Sequence, residues 1–212
     1  MKNIVITIAR SFGSGGKEIG LKLANRLGIS CYDREILKMA SEFSGISEAL
    51  YRETDEKLRI SLMRKRMHGT FNPESAIPSS SFEDFTSDDA LFRFQASIIR
   101  DLANSESCVI VGRCADKILA RKNNVLKVYI RAPIEQRTAT IMHRLHIGEN
   151  EARALIAKTD RYRRDYYKYY SGGSDWTDPD NYNMILNSAS MGRDACVSLL
   201  EIYVRDIFGK KS

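Results

Sequence analysis

Ile4-Val5-Ile6-Thr7-Ile8 is an apolar, β-branched run that leads directly into a turn of serines and glycines. Such a run reads as a strand covered on both faces, because a half-exposed strand alternates apolar with polar residues. Beyond the turn, Ile19, Leu23 and Leu27, with Ala24, recur at helical spacing until Gly28 stops the helix. A buried strand passing through a glycine turn into a helix opens a doubly wound α/β fold, since parallel strands need crossover helices on the sheet faces.

Two more buried strands follow, Cys108-Val109-Ile110-Val111 and Val125-Leu126-Lys127-Val128-Tyr129-Ile130, and the short runs at 29–32 and 183–186 supply one each. The pattern predicts a five-stranded parallel sheet flanked by helices. A chain of 212 residues suits one such domain with a full core. Residues 33–104 read as a helical insertion, broken over 67–88 by a polar segment with Pro73, Pro78 and three consecutive serines. That break is either a functional loop or a surface insertion. Residues 148–170 read as one long helix with Ala152, Leu155, Ile156 and Thr159 facing inward. The last helix carries Cys196, Leu199, Leu200, Tyr203 and Ile207 as its core stripe.

The first turn, Ser11-Phe12-Gly13-Ser14-Gly15-Gly16-Lys17, has the chemistry of a phosphate cradle. Glycines let backbone N–H groups turn inward around an anion, the helix N-terminus adds partial positive charge, and a lysine reaches the terminal phosphates. Against the pattern G-x-x-x-x-G-K-[ST], Ser11 stands at the first glycine, and Glu18 replaces the hydroxyl that normally holds Mg²⁺. A carboxylate there either reaches the metal through water or points away. The formal charge of +6 and pI near 9.1 suit anionic ligands, whether a phosphate compound or a nucleic acid. The four cysteines form no CxxC pair and the three histidines lack metal spacing, so a structural zinc site is not expected. No signal h-region or membrane-length apolar stretch is present, and the expected compartment is the reducing cytoplasm.

Arg161, Arg164, Asp165 and Lys168 fall at i, i+3, i+4 and i+7 on the long helix and share one face, with Tyr162, Tyr166, Tyr169 and Tyr170 on the adjoining one. Taken alone, this is a solvated ion-paired face or an anion site. The aromatics lie beside the cations, not on a sheet platform of the kind single-strand binders use, so nucleic acid is not the expected partner. Arg113 follows the Cys108–Val111 strand, at the carboxyl end where open α/β sheets bind ligands; it either holds an anion or caps the next helix. Asp33 and Arg34 lie at the same rim.

Residues 11–19, SFGSGGKEI, followed by Cys31-Tyr32-Asp33-Arg34-Glu35, resemble the cytidylate-kinase-like branch of the nucleoside monophosphate kinases, whose members share the serine at the first position and the carboxylate after the basic residue. Gly112-Arg113-Cys114 resembles that family's Gly-Arg-Asp turn, with Cys114 in place of Asp. The turn at 132–137, Trp176-Thr177-Asp178-Pro179 and the stretch from Asn181 to Gly192 resemble it as well. The resemblance implies a P-loop NTPase fold with a helical acceptor-binding insertion (33–104) and a lid (137–168). It implies ATP and Mg²⁺ at the phosphate-binding residues Gly13, Ser14, Gly15, Gly16, Lys17 and Glu18, and a nucleoside monophosphate, CMP or dCMP, as acceptor. Lys17, Arg161 and Arg164 are then the catalytic cations. Asp33, Arg34, Arg113, Asp165 and Lys168 hold the acceptor, and Arg137 and Arg144 belong to the lid. The alternatives are a kinase for another small acceptor and a non-catalytic nucleotide-binding regulatory module.

Overall fold

The structure, a computed structural model, describes residues 3–44 and 88–209. Five strands lie among them: β1 Val5–Arg10, β2 Ser30–Tyr32, β3 Cys108–Val111, β4 Val125–Arg131 and β5 Met184–Asn187. They form one sheet in the order β2-β3-β1-β4-β5, and every neighbouring pair is parallel. The connecting helices are α1 Gly16–Leu27, α2 Glu35–Ser44, α3 Asp88–Ser105, α4 Ala115–Ile118, α5 Ile134–Leu145, α6 Glu149–Tyr170, α7 Ser188–Met191 and α8 Arg193–Gly209.

The all-apolar strands are explained by burial on both faces. Ile6 and Ile8, Val109 and Val111, and Val128 and Ile130 pack with Ile19 and Leu23 of α1 and with Cys196 and Leu200 of α8. Their neighbours in sequence, Val5, Cys108 and Ile110, pack on the opposite face with Ile36 of α2 and Ile99 and Leu102 of α3. Each fully buried aliphatic side chain contributes about 1.5–3 kcal/mol, so a polar residue on either face would be costly. All four cysteines are free thiols, and no described helix is long and apolar enough to cross a membrane.

The predicted core stripe of α8 needs correction. Cys196 and Leu200 are buried, but Leu199 and Ile207 are 38% and 40% exposed, while Val197 and Val204 are buried instead. At 100° per residue Leu199 falls on the flank of the Cys196–Leu200–Val204 line. Ile207 lies nearly a turn beyond Val204, where the core cluster ends. Within the stretch 33–104, α2 and α3 pack on each other through Leu37, Ala40, Leu91 and Phe94. The polar break expected over 67–88 lies outside the described residues, apart from Asp88 at the start of α3. The stretch 137–168 runs along α5 and α6, which share a small core of Ile141, Ala152 and Ile156.

Because β1 is central, its carboxyl end opens between those of β3 and β4, where the chain's connections diverge to opposite sides of the sheet. The glycine turn and the Gly112–Arg113 turn both start there.

Candidate active site

The glycine turn enters α1 through Gly15, whose φ of 81° only a glycine adopts without strain. No side chain caps this helix end, and the first helical bond runs from Ile19 N to Gly15 O at 3.0 Å. The amides of Gly16, Lys17 and Glu18 therefore have no acceptor within the helix and sit at its positive end. Ser11 is not among the residues with positive φ, which is why this position tolerates a side chain.

The turn is pinned from behind. Ser11 Oγ and Tyr129 OH are 2.9 Å apart. Ser14 Oγ donates to the carbonyls of Ser11 at 2.8 Å and Ile130 at 3.1 Å, and Ser188 Oγ donates to Ser14 O at 2.6 Å. Ser14, expected among the phosphate-binding residues, is thus 2% exposed and faces the sheet, not the cleft. Its side chain holds the backbone of the turn in shape.

Phe12 is clamped by helices α5 and α6. Its N–H donates to Asp160 Oδ1 at 2.8 Å, and its carbonyl accepts from Arg137 Nη1 at 3.3 Å. Arg137 is itself ion-paired with Asp160. The guanidinium carbons of Arg144 and Arg163 lie 5.2 and 5.5 Å from the centre of the Phe12 ring, within cation–π range. Of the two predicted lid residues, Arg144 lines the cleft, whereas Arg137 fastens the loop to α6.

A cleft of about 960 Å³ runs from this cradle to the Gly112–Arg113 turn, and Lys17, Asp33, Arg34 and Arg113 all line it. Lys17 Nζ lies 2.9 Å from Asp33 Oδ2, and Arg10 Nη2 lies 3.7 Å from Asp33 Oδ1. Burial works against the Asp33 carboxylate, but Arg10, Lys17 and Arg113 outweigh it and hold the carboxyl below its usual range. Arg10 packs flat against Gly112, where a Cβ would meet its Nη1 at 2.1 Å. Next to it Arg113 and Cys114 have φ of 61° and 53°, both left-handed. Two consecutive non-glycine residues in that region cost on the order of 1–3 kcal/mol each, a strain typical of functional turns.

Helix α6 reaches the cleft by a different face from the predicted one. Arg161, Arg164, Asp165 and Lys168 are exposed and lie outside the cleft lining, with Arg164 and Lys168 near enough to Asp175 to help keep its carboxyl low, behind the dominant hydrogen bonds from Thr177. The helical phase turns Tyr162, Arg163, Tyr166 and Tyr167 inward instead. Arg163 donates to Arg10 O at 2.9 Å. Burial pulls its guanidinium down from the ordinary value, and Asp160 and Asp33 resist that pull.

Beyond Arg113 the cleft becomes aromatic, with Tyr166, Tyr167 and Trp176 beside Cys114 and Asp116. Trp176 is 5% exposed and meets Tyr129 edge-on. Asp116 is 4% exposed and accepts from Tyr167 OH at 2.6 Å. Burial raises its carboxyl above the usual range, with Tyr167 and Lys117 opposing. On the rim of the cradle, Glu18 is ion-paired with Arg193 and lies 3.2 Å from Lys22 Nζ. Sequence reasoning missed Arg10, Asp160, Arg163 and Arg193. No group of three acidic, histidine or cysteine side chains able to hold a metal occurs among the described residues.

The family model described as "Cytidylate kinase-like family" matches residues 5–190. The cytidylate kinase of Thermococcus kodakarensis is 31% identical over 105 residues, covering 48% of this chain and 52% of that protein, so the match spans about half the length of this relative. The crystal structure of an uncharacterized protein from Eubacterium ventriosum superposes with a TM-score of 0.68 at 26% identity, over 95% of this chain and 98% of that one. Shikimate kinase from Bacteroides thetaiotaomicron superposes with a TM-score of 0.53 at 12% identity, over 95% of this chain and 98% of that one. With the glycine turn between β1 and α1, these likenesses make the architecture a P-loop NTPase fold.

Proposed function

The chain belongs to the cytidylate kinase-like family, and from that premise we propose that it transfers the γ-phosphoryl group of ATP to a nucleoside monophosphate, CMP or dCMP. The observation that carries the reading is one cleft shared by the uncapped α1 N-terminus, Lys17, Arg113 and Arg163. A polyphosphate fits the first of these features, because free amides, helix dipole and ammonium converge there. An arginine fork suits the oxygens of a monophosphate.

In this reading the amides of Gly16, Lys17 and Glu18 and the Lys17 ammonium hold the β- and γ-phosphates. Arg113 holds the acceptor phosphate, with Asp33 and Arg34 beside it. An oxygen of the acceptor phosphate forms the new bond to the γ-phosphorus, and the bond to the β-bridging oxygen breaks with release of ADP. Such a transition state asks the protein for positioning and for cations near the equatorial oxygens, a role suited to Arg163 and Arg10. Arg144 and the clamp on Phe12 tie α5 and α6 to the phosphate loop, as exclusion of water requires.

In this reading Asp33, held low by Arg10, Lys17 and Arg113, stays charged and keeps the cations of the cleft in place. Mg²⁺ is part of the proposal as the ion that neutralises nucleotide charge. The described side chains supply no ligand set for it, and Glu18 is engaged by Arg193 and Lys22. The test is ADP release from ATP with CMP, dCMP, UMP, AMP and hydroxyl-bearing non-nucleotides offered separately. Turnover with CMP or dCMP is the expected result. Turnover with a non-nucleotide alone would replace the acceptor, and tight ATP binding without any transfer would favour the regulatory alternative.

A further inference from the structure

Glu18 occupies the position at which a phosphate loop of this pattern carries a hydroxyl. Its carboxylate is ion-paired with Arg193 and lies 3.2 Å from Lys22 Nζ. Lys22 is shared with Asp194 at 2.8 Å, so Arg193 is the cation committed to Glu18. Arg193 opens α8 immediately after Gly192, and its side chain runs back over the phosphate loop. A Cβ on Gly15 would lie 2.5 Å from Arg193 Nε and 3.0 Å from its Cδ. The bare Cα of Gly15 therefore serves two purposes: it permits the left-handed turn, and it gives the guanidinium room on the cradle. Both Glu18 and Arg193 line the cleft.

Resting on the phosphoryl-transfer reading above, we infer that Arg193 is a further polyphosphate-binding residue, and that Glu18 is its positioning residue, not a metal ligand. A carboxylate in the first turn of α1 would repel a triphosphate unless a cation lay between them. Arg193 is that cation. Its planar fork donates to Glu18 and retains N–H groups for phosphate oxygens, which an ammonium cannot offer in the same geometry. The carboxylate at position 18 and the arginine at position 193 thus act as one unit. The ligand class is the polyphosphate chain of a nucleoside di- or triphosphate, and the adenosine moiety is not involved.

The experiment measures binding of tripolyphosphate, ATP and adenosine by calorimetry, and transfer separately, in the parent and in Arg193→Ala, Arg193→Lys, Glu18→Gln and Glu18→Thr. Loss of a charge-assisted contact predicts that Arg193→Ala weakens tripolyphosphate and ATP by about 10- to 100-fold, with adenosine unchanged. Arg193→Lys recovers part of the loss. Glu18→Gln weakens binding about fivefold, and the Glu18→Gln/Arg193→Ala double variant is no worse than Arg193→Ala, as coupled residues require. Glu18→Thr restores the hydroxyl of the usual motif, yet it should weaken ATP as Glu18→Gln does. Parental tripolyphosphate affinity in Arg193→Ala, or tighter ATP and lower Mg²⁺ demand in Glu18→Thr, would overturn the inference. The transfer assay on the parent separates the two claims. If Arg193-dependent polyphosphate binding persists but the parent transfers phosphate to no acceptor, the reading above fails and this one stands.

Discussion

The ammonium of Lys17 lies 2.9 Å from Oδ2 of Asp33, so the lysine of the glycine loop is tied to a carboxylate from the turn after β2. Arg10 approaches the other oxygen of the same group at 3.7 Å. Asp33 thus holds two cations that would otherwise repel each other at the end of β1, and its side chain is only 13% exposed. This knot joins the end of β1 and the phosphate loop to the turn after β2.

Its charge has a measurable pH signature. The folded carboxyl is held below its ordinary value, while in the unfolded chain it titrates at about 3.9. A depressed folded value means stability that is complete above the unfolded value and lost as pH falls through the folded one. Asp33→Asn should be less stable than the parent by about 1–3 kcal/mol at pH 7, with the gap closing below about pH 4. Urea unfolding across that range reads it directly. A gap that stays constant from pH 7 to 3 would show that the carboxylate's charge is not its source.

Arg163 and Arg161 separate two views of α6. Arg163 is half-buried in the cleft, on the Phe12 ring and the Arg10 carbonyl, whereas Arg161 is exposed. Arg163→Ala should lower kcat by about 10²- to 10³-fold, the usual cost of removing a preorganised cation from a transition state. Arg161→Ala should stay within about twofold. Steady-state kinetics with both substrates varied would show this, and the opposite ranking would return the catalytic role to the outer face.

The inward placement of Arg163 was within reach of the sequence. The five strands and the phosphate loop were legible because β-branched runs and glycine spacing are local signals, read within a few residues. The inward face of α6 was also encoded: Arg163 lies seven residues after Ile156, four before Tyr167 and seven before Tyr170, all three buried. The density of charge at 161–168 belongs to the solvent face, as is common for a charge run. Arg193 and Arg10 were not legible, since their meaning depends on contacts with Gly15 and Gly112 made by the tertiary fold. The overreach of the α8 stripe had a similar cause: periodicity gives a face, and the end of the core decides how far along the helix that face is buried.

The Phe12 clamp should be visible as stability. Asp160 accepts the Phe12 amide and pairs with Arg137, and both charged side chains are 14% exposed. Asp160→Ala leaves Arg137 half-buried without that partner, a change that costs about 3–5 kcal/mol in comparable pairs. Asp160→Asn keeps an oxygen for the amide and should cost only about half as much. For a chain of this size that corresponds to roughly 2–4 °C of Tm per kcal/mol. Equal melting temperatures for the two variants would assign the stabilisation to the charge alone.

Asp116 should respond to pH in the direction opposite to Asp33. It is 4% exposed, accepts from Tyr167 OH at 2.6 Å, and burial raises its carboxyl above the ordinary value of 3.8. Between the unfolded and the raised folded value the native state binds more protons than the unfolded one, so stability falls as pH rises through that window. Above it, an ionised Asp116 is a net cost that Tyr167 and Lys117 only partly offset. Asp116→Asn retains an oxygen for the Tyr167 hydroxyl without the charge. It should equal or exceed the parent in stability at pH 8 and flatten the decline from about pH 4 upward. Unfolding curves for Asp33→Asn and Asp116→Asn should therefore deviate from the parent with opposite signs at neutral pH. If Asp116→Asn were instead the less stable of the two at pH 8, the Asp116–Tyr167 bond would have to be a net stabilising ionic contact, which burial of this depth argues against.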